Sequence, residues 1–108
     1  MENNITGKPF LENLVIDALR NVFDPEIPVN IYDLGLIYKI VAPIDGNVSV
    51  IMTLTSPNCP VAESLPGEVR NEILKVRGVN SVTVELVFDP PWEPEMMSES
   101  AKLDLGML

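Results

Sequence analysis

Leu34-Gly-Leu-Ile-Tyr-Lys-Ile-Val41, Pro43-Ile-Asp-Gly-Asn47 and Val48-Ser-Val-Ile-Met-Thr-Leu54 follow one another in the chain, and reading them decides the fold. The first run is apolar and rich in β-branched and aromatic residues, the composition of a strand packed on a core. The last alternates, with Val48, Val50, Met52 and Leu54 on one face, the two-residue period of a half-buried strand. Asp45-Gly46 between them is a hairpin turn signal, because glycine accepts the positive φ that such turns require. The two runs are therefore predicted to pair as an antiparallel hairpin.

Working outward, Leu11, Leu14, Val15, Ala18, Leu19 and Val22 recur at three- and four-residue steps and predict an amphipathic helix. Pro9 suits its first turn, and Asp24-Pro25 is expected to end it. Residues 24–33, with two prolines, read as a stiff loop. Beyond the hairpin, Ala62, Leu65, Val69, Ile73 and Val76 predict a second helix over about residues 60–76, with Pro60 at its first position. Pro66-Gly67 contradicts that span locally, and reads as a kink or a late start. Val79–Phe88 then alternates through Val82, Val84, Leu86 and Phe88 as a third strand. Ser98 is placed to cap a short last helix that stops at Gly106.

The expected fold is α+β: a two-layer sandwich of order α-β-β-α-β plus a short C-terminal helix, with a small three-stranded mixed sheet, in one domain spanning 1–108. The crossover through the second helix should set the third strand parallel to the second. Connectivity alone then gathers the loop 24–33, the turn 55–59 and the segment 89–92 at one end of the sheet.

Composition narrows what can happen there. Cys59 is the sole cysteine and histidine is absent, so no Cys-His or Ser-His pair can activate a nucleophile. One thiolate cannot supply the four protein ligands of a closed zinc or iron–sulfur site. The net charge of −9 would on average repel nucleic-acid backbones and anionic lipid surfaces, and no apolar run has the length of a membrane span. No signal peptide is visible at the N-terminus, and a lone cysteine suits a reducing cytoplasm, the expected location. No Lys or Arg occurs from Asp24 to Tyr38 or from Gly78 to Ala101.

Cys59 sits in Thr53-Leu-Thr-Ser-Pro-Asn-Cys-Pro60, bracketed by Pro57 and Pro60. A thiol where a helix begins can hold negative charge, bind a soft metal or exchange sulfur; the alternative is a small buried hydrophobe. Asp24 and Glu26 form either a rigid carboxylate pair or a helix end beside a solvated acid. Thr55 and Ser56 either hydrogen-bond a sulfur ligand or cap the second helix. Asp33 before Leu34-Gly35 reads as turn chemistry. Trp92, Met96 and Met97 are candidates for partner docking or for packing over the sheet end.

Three motifs in order resemble the SufT-like metal–sulfur cluster assembly proteins: Asp24-Pro-Glu-Ile-Pro-Val-Asn-Ile-Tyr-Asp-Leu-Gly-Leu-Ile-Tyr38, Met52-Thr-Leu-Thr-Ser-Pro-Asn-Cys-Pro60, and Val87-Phe-Asp-Pro-Pro-Trp92 followed by Met97-Ser98. That family includes the phenylacetate-pathway protein PaaD and eukaryotic cytosolic iron–sulfur targeting factors. The resemblance implies a fold similar to the iron–sulfur assembly domain shared with the C-terminal part of NifU. It implies a site of Asp24, Glu26, Thr55, Ser56 and Cys59. It also implies an accessory role in SUF-type cluster assembly, with iron–sulfur assembly proteins and client apoproteins as partners. Lacking the Cys-x-x-Cys pair of the NifU domain, the chain is expected to hold an iron–sulfur cluster or iron only transiently, shared with a second subunit or a partner. A homodimer would bring two Cys59 thiols.

Two other readings follow from the residues. A pure interaction adaptor would use Trp92 and the acidic tail and leave Cys59 inert. A thiol enzyme with Glu26 as base needs a strongly perturbed carboxylate, so a non-enzymatic role is expected. RNA binding fails on charge and on the missing Gly-x-x-Gly clamp.

Overall fold

The structure, a computed structural model, describes residues 8–24, 27–55 and 64–107, with side chains from Leu11 onward. Helix α1 (Lys8–Leu19) is followed by a single helical turn, α2 (Ile31–Leu34), then strands β1 (Ile37–Val41) and β2 (Asn47–Met52). Helix α3 (Leu65–Leu74), strand β3 (Ser81–Leu86), a 3₁₀ turn (Pro94–Met96) and helix α4 (Glu99–Asp104) complete the order. The expected α+β order and the three-stranded mixed sheet are both present.

The sheet runs β1-β2-β3. β1 and β2 are antiparallel, with Val41 opposite Ser49 and Ile37 opposite Met52. Their turn is closed by Asp45, whose carboxylate accepts from the Asn47 N–H at 2.9 Å, and by Gly46 at φ +85°. β2 and β3 are parallel, from Asn47 opposite Ser81 to Met52 opposite Leu86. Ile37, Met52 and Leu86 thus share one end of the sheet, and the segments attached to them leave from that end.

One face of the sheet packs on the helices. Val48, Val50, Met52 and Leu54 from β2 and its extension meet Leu11, Val15 and Leu19 of α1 and Leu65, Val69 and Ile73 of α3 in one buried cluster. Each such side chain contributes about 1.5–3 kcal/mol when fully withdrawn from water. The third strand follows its expected alternation less completely: Val82 is buried, Val84 and Leu86 are half-buried, and Phe88 lies beyond the strand, 42% exposed.

Three expectations are corrected. The 24–33 loop contains α2, because Asn30 caps it: its side-chain oxygen accepts from the Asp33 N–H while its amide donates to the Asp33 carboxylate, both at 2.9 Å. Gly35 at φ +90° ends that turn, so Leu34 belongs to a helix and the first strand begins at Ile37. Helix α1 ends at Leu19, before Asp24-Pro25, closing with tight bonds from Asn21 N–H to Ala18 O and Val22 N–H to Leu19 O. The second helix is described from Leu65 with Ser64 at its N-cap and Pro66 in its first turn. The Pro66-Gly67 conflict is thereby resolved as a late start, since proline is tolerated where the amide has no intrahelical partner.

At the other end of the chain, the Ser98 hydroxyl accepts from the Ala101 N–H at 3.1 Å and caps α4. Among the described residues, no helix is long and apolar enough to cross a membrane.

Candidate functional site

The sheet end marked by Ile37, Met52 and Leu86 is closed by hydrogen bonds between segments far apart in sequence. The Thr53 N–H donates to Leu36 O, and the Val87 N–H to Met52 O, both at 2.8 Å. The Trp92 indole N–H donates to Leu34 O at 2.7 Å, and the Ser98 N–H to Asp33 O at 2.8 Å. These bonds lash the 87–98 arm across the α2 turn and the exit of β2. Trp92 is half-buried and bonded through its only polar atom.

Thr55 faces this arm across a small cavity of about 80 Å³, walled by Thr53, Leu54, Phe88, Pro91 and Trp92. Asp24 is 5% exposed. It is held by its own N–H donating to Val29 O at 3.3 Å, by an antiparallel bridge between Phe23 and Asn30, and by the Ile31 N–H donating to Val22 O at 2.8 Å. Asn30 in turn caps α2, whose last carbonyl receives Trp92. Asp24, Thr55 and Trp92 are therefore tied to one framework, with α2 between Asp24 and the arm. Glu26, Ser56, Pro57, Cys59 and Pro60 lie outside the described residues. Cys59 precedes the first residue of α3 by six positions, so it is not itself the cap of the described helix.

Met97 is 6% exposed and packs in the core, whereas Met96 beside it is 38% exposed. Met96 helps to line a second, larger groove of about 550 Å³ on the outer side of the arm, with Tyr32, Gly35, Ile37, Tyr38 and Pro90. Gly35 is there for close approach: a Cβ at that position would come within 2.5 Å of Met96 O. Asp33, also at the groove, makes a 3.9 Å ion pair with Arg20, whose guanidinium sits 5.0 Å from the Tyr32 ring centre.

Sequence reasoning missed Tyr38, which sits inside an apolar strand pattern. Its hydroxyl donates to Pro90 O at 2.7 Å and approaches Met96 Sδ at 3.8 Å. Burial raises its pKa above 10.0. The Thr53 side chain beside it partly offsets this, and the negative charges of Asp89 and Glu93 add to it. The available signal was a phenol in an otherwise mostly apolar strand, since a half-buried Tyr hydroxyl usually finds a hydrogen-bond partner.

The sign of the consequence is fixed. An acid whose folded pKa is raised keeps its proton longer in the native state, so its contribution to stability is intact below 10.0 and is lost as pH rises through the folded value. Wild type is expected to lose stability above pH 10.0 more steeply than Tyr38→Phe. Urea midpoints measured for both proteins on either side of that pH check it; parallel pH profiles would contradict it.

Among the described residues, no group of three or more His, Cys, Asp or Glu is gathered that could hold a metal ion. Asp24 and Thr55 alone do not make a closed site, and Cys59 brings one thiolate.

These features belong to a recognisable class. Residues 12–86 match the family described as iron–sulfur cluster assembly protein. The chain is 52% identical over 97 residues to an Fe-S protein maturation auxiliary factor of Porphyromonas gingivalis, covering 90% of this chain and 92% of that one. It is 37% identical over 86 residues to the Fe-S protein maturation auxiliary factor SufT of Staphylococcus aureus, covering 80% and 98%. Among solved structures, a domain of unknown function, DUF59, from Bacillus anthracis superposes with a TM-score of 0.86 at 37% identity, covering 94% of this chain and 97% of that one. The chain belongs to the iron–sulfur cluster assembly protein family.

Proposed function

We propose that this chain is an accessory factor of iron–sulfur cluster assembly that helps to pass clusters into client proteins, and that Cys59 is the transient ligand of the iron or sulfur it handles. What carries the reading is the convergence of the α2 turn, the exit of β2 and the 87–92 arm at one end of the sheet, in a chain whose only cysteine follows the exit of β2. The maturation-factor names of its relatives support it.

The cluster is cargo here, and one thiolate suits cargo. A closed cluster site takes four thiolates, so a lone Cys59 leaves the remaining positions to a second subunit, an assembly protein or the incoming client. A ligand set completed by the partner can be handed over by exchange of ligands, without prying the cluster from a finished site. Asp24 and Glu26 would shape the ligand environment, and Thr55 and Ser56 would offer hydroxyls to a bound sulfur. The chain works as a maturation factor and not as an enzyme, its one bond to the cargo being the Cys59 ligation that is exchanged at handover.

Anaerobic reconstitution with iron and sulfide, followed by visible absorption and gel filtration, tests this. A chromophore that disappears in Cys59→Ala is expected. A colourless wild-type protein that still captures client apoproteins would overturn the ligand role and leave an interaction adaptor.

A further inference from the structure

The groove outside the 87–98 arm takes no part in that chemistry, and three observations describe its occupant. Its lining is mostly apolar and aromatic: Tyr32, Gly35, Ile37, Tyr38, Pro90 and Met96, with Asp33 and Ser98, border an open groove of about 550 Å³. That is room for one or two large side chains.

Its rim is acidic. Asp89 and Glu93 lie close enough to raise the proton affinity of Tyr38, Glu95 precedes Met96, and Glu99 follows Ser98. Among the described residues none of these four acids forms an ion pair, the recorded pairs being Arg20 with Asp17 and Asp33, and Lys75 with Glu72.

The chain also shows how this surface holds a cation. At one end of the groove Arg20 already sits over the Tyr32 ring and beside Asp33, the paired stacking and ionic contact at which guanidinium excels. Asp89, Glu93 and Glu95, next in sequence to or near the lining residues Pro90 and Met96, have no such ion-pair partner among the described residues.

We infer that this groove docks a short segment of a protein partner that lays an aliphatic or aromatic side chain against Tyr38 and Met96 and places Lys or Arg residues against Asp89, Glu93 and Glu95. A second copy of this chain is the wrong occupant, since each carries a net charge of −9. Its own N-terminal stretch, Met1–Gly7, has no Lys or Arg to offer. Positive residues flanking an apolar anchor match both the walls and the rim, the anchor supplying affinity and the charges supplying orientation and rate of encounter.

The full-length chain, labelled with ¹⁵N, is titrated with the acetylated amide peptide Lys-Lys-Leu-Phe-Lys-Lys and with its counterpart Glu-Glu-Leu-Phe-Glu-Glu. Shifts confined to Tyr32, Gly35, Ile37, Tyr38 and Met96 are expected with the basic peptide alone, with affinity falling about tenfold from low to high salt. Met96→Lys should remove the shifts. Asp89→Asn combined with Glu93→Gln, which leaves the walls intact, should flatten the salt dependence. Cys59→Ala should bind the basic peptide as wild type does, so failure of the sulfur chemistry and failure of this docking are separable results. Equal binding of the acidic peptide, no shifts in the groove, or shifts that survive Met96→Lys would overturn the inference.

Discussion

Cys59→Ala is expected to lower the activity of iron–sulfur client enzymes about tenfold or more in cells that depend on this chain. Removing an outer-shell partner of a metal site typically costs 10–100-fold, and a direct ligand should cost no less. If the chain acts by the proposed handover of cargo, the loss should appear in the clients' cluster content and not in their abundance. Cys59→Ser, which keeps a weaker oxygen donor, should fall between the two. Full client activity with Cys59→Ala would refute a ligand role for the thiol.

Gly35→Ala is expected to be strongly destabilising. Gly35 sits at φ +90°, a backbone region L-residues enter at a cost of about 1–2 kcal/mol. Its new Cβ would also lie 2.5 Å from Met96 O and 2.9 Å from Met96 C. These are backbone atoms, so relief requires the arm to move, at an overpacking cost of about 1–3 kcal/mol. Together these amount to about 2–5 kcal/mol, or a fall in Tm on the order of 10–25 °C for a domain of this size. Because the arm is displaced, the Trp92–Leu34 and Tyr38–Pro90 hydrogen bonds should weaken as well, which the change in Trp92 fluorescence reads directly. Gly67→Ala is the control: nothing lies within 4 Å of the added methyl, and in a helix the change should stabilise by about 0.5–1 kcal/mol. Calorimetry on both variants checks the pair. Equal melting temperatures would contradict the account of the arm.

The hairpin, the parallel third strand and the capped last helix were legible because each is dictated by local patterns: two-residue alternation, Asp45-Gly46, and Ser98 before a helix. The meeting of distant segments at one sheet end was legible for a different reason, since strand direction and crossover leave no other place for them. The α2 turn was not, because four residues carry no periodicity; only Asn30 and Gly35, three residues apart from Asp33 and one from Leu34, bracket it. The division of labour between Met96 and Met97 was equally hidden. Adjacent methionines are indistinguishable until the 3₁₀ turn Pro94–Met96 sends one to the core and the other to the groove. Tyr38 escaped notice because an apolar strand pattern absorbs a tyrosine without comment, while its hydroxyl finds its partner 52 residues away. Of the candidate site, Asp24 and Thr55 lie on the framework of that sheet end, and their relation to Cys59 is the claim the account stands on.

That claim can be measured directly, because the chain has one cysteine and one tryptophan. A nitroxide attached to Cys59 will broaden the NMR signals of nearby protons, and the Trp92 indole N–H gives a single resolved peak. The account predicts strong broadening at the Trp92 indole and at the Asp24 amide, and little at Gly46 and Asn80, which are bonded to each other at the opposite end of the sheet. Sharp Trp92 and Asp24 signals beside a broadened Gly46 or Asn80 would place the sulfur away from the junction and contradict its role as a ligand there.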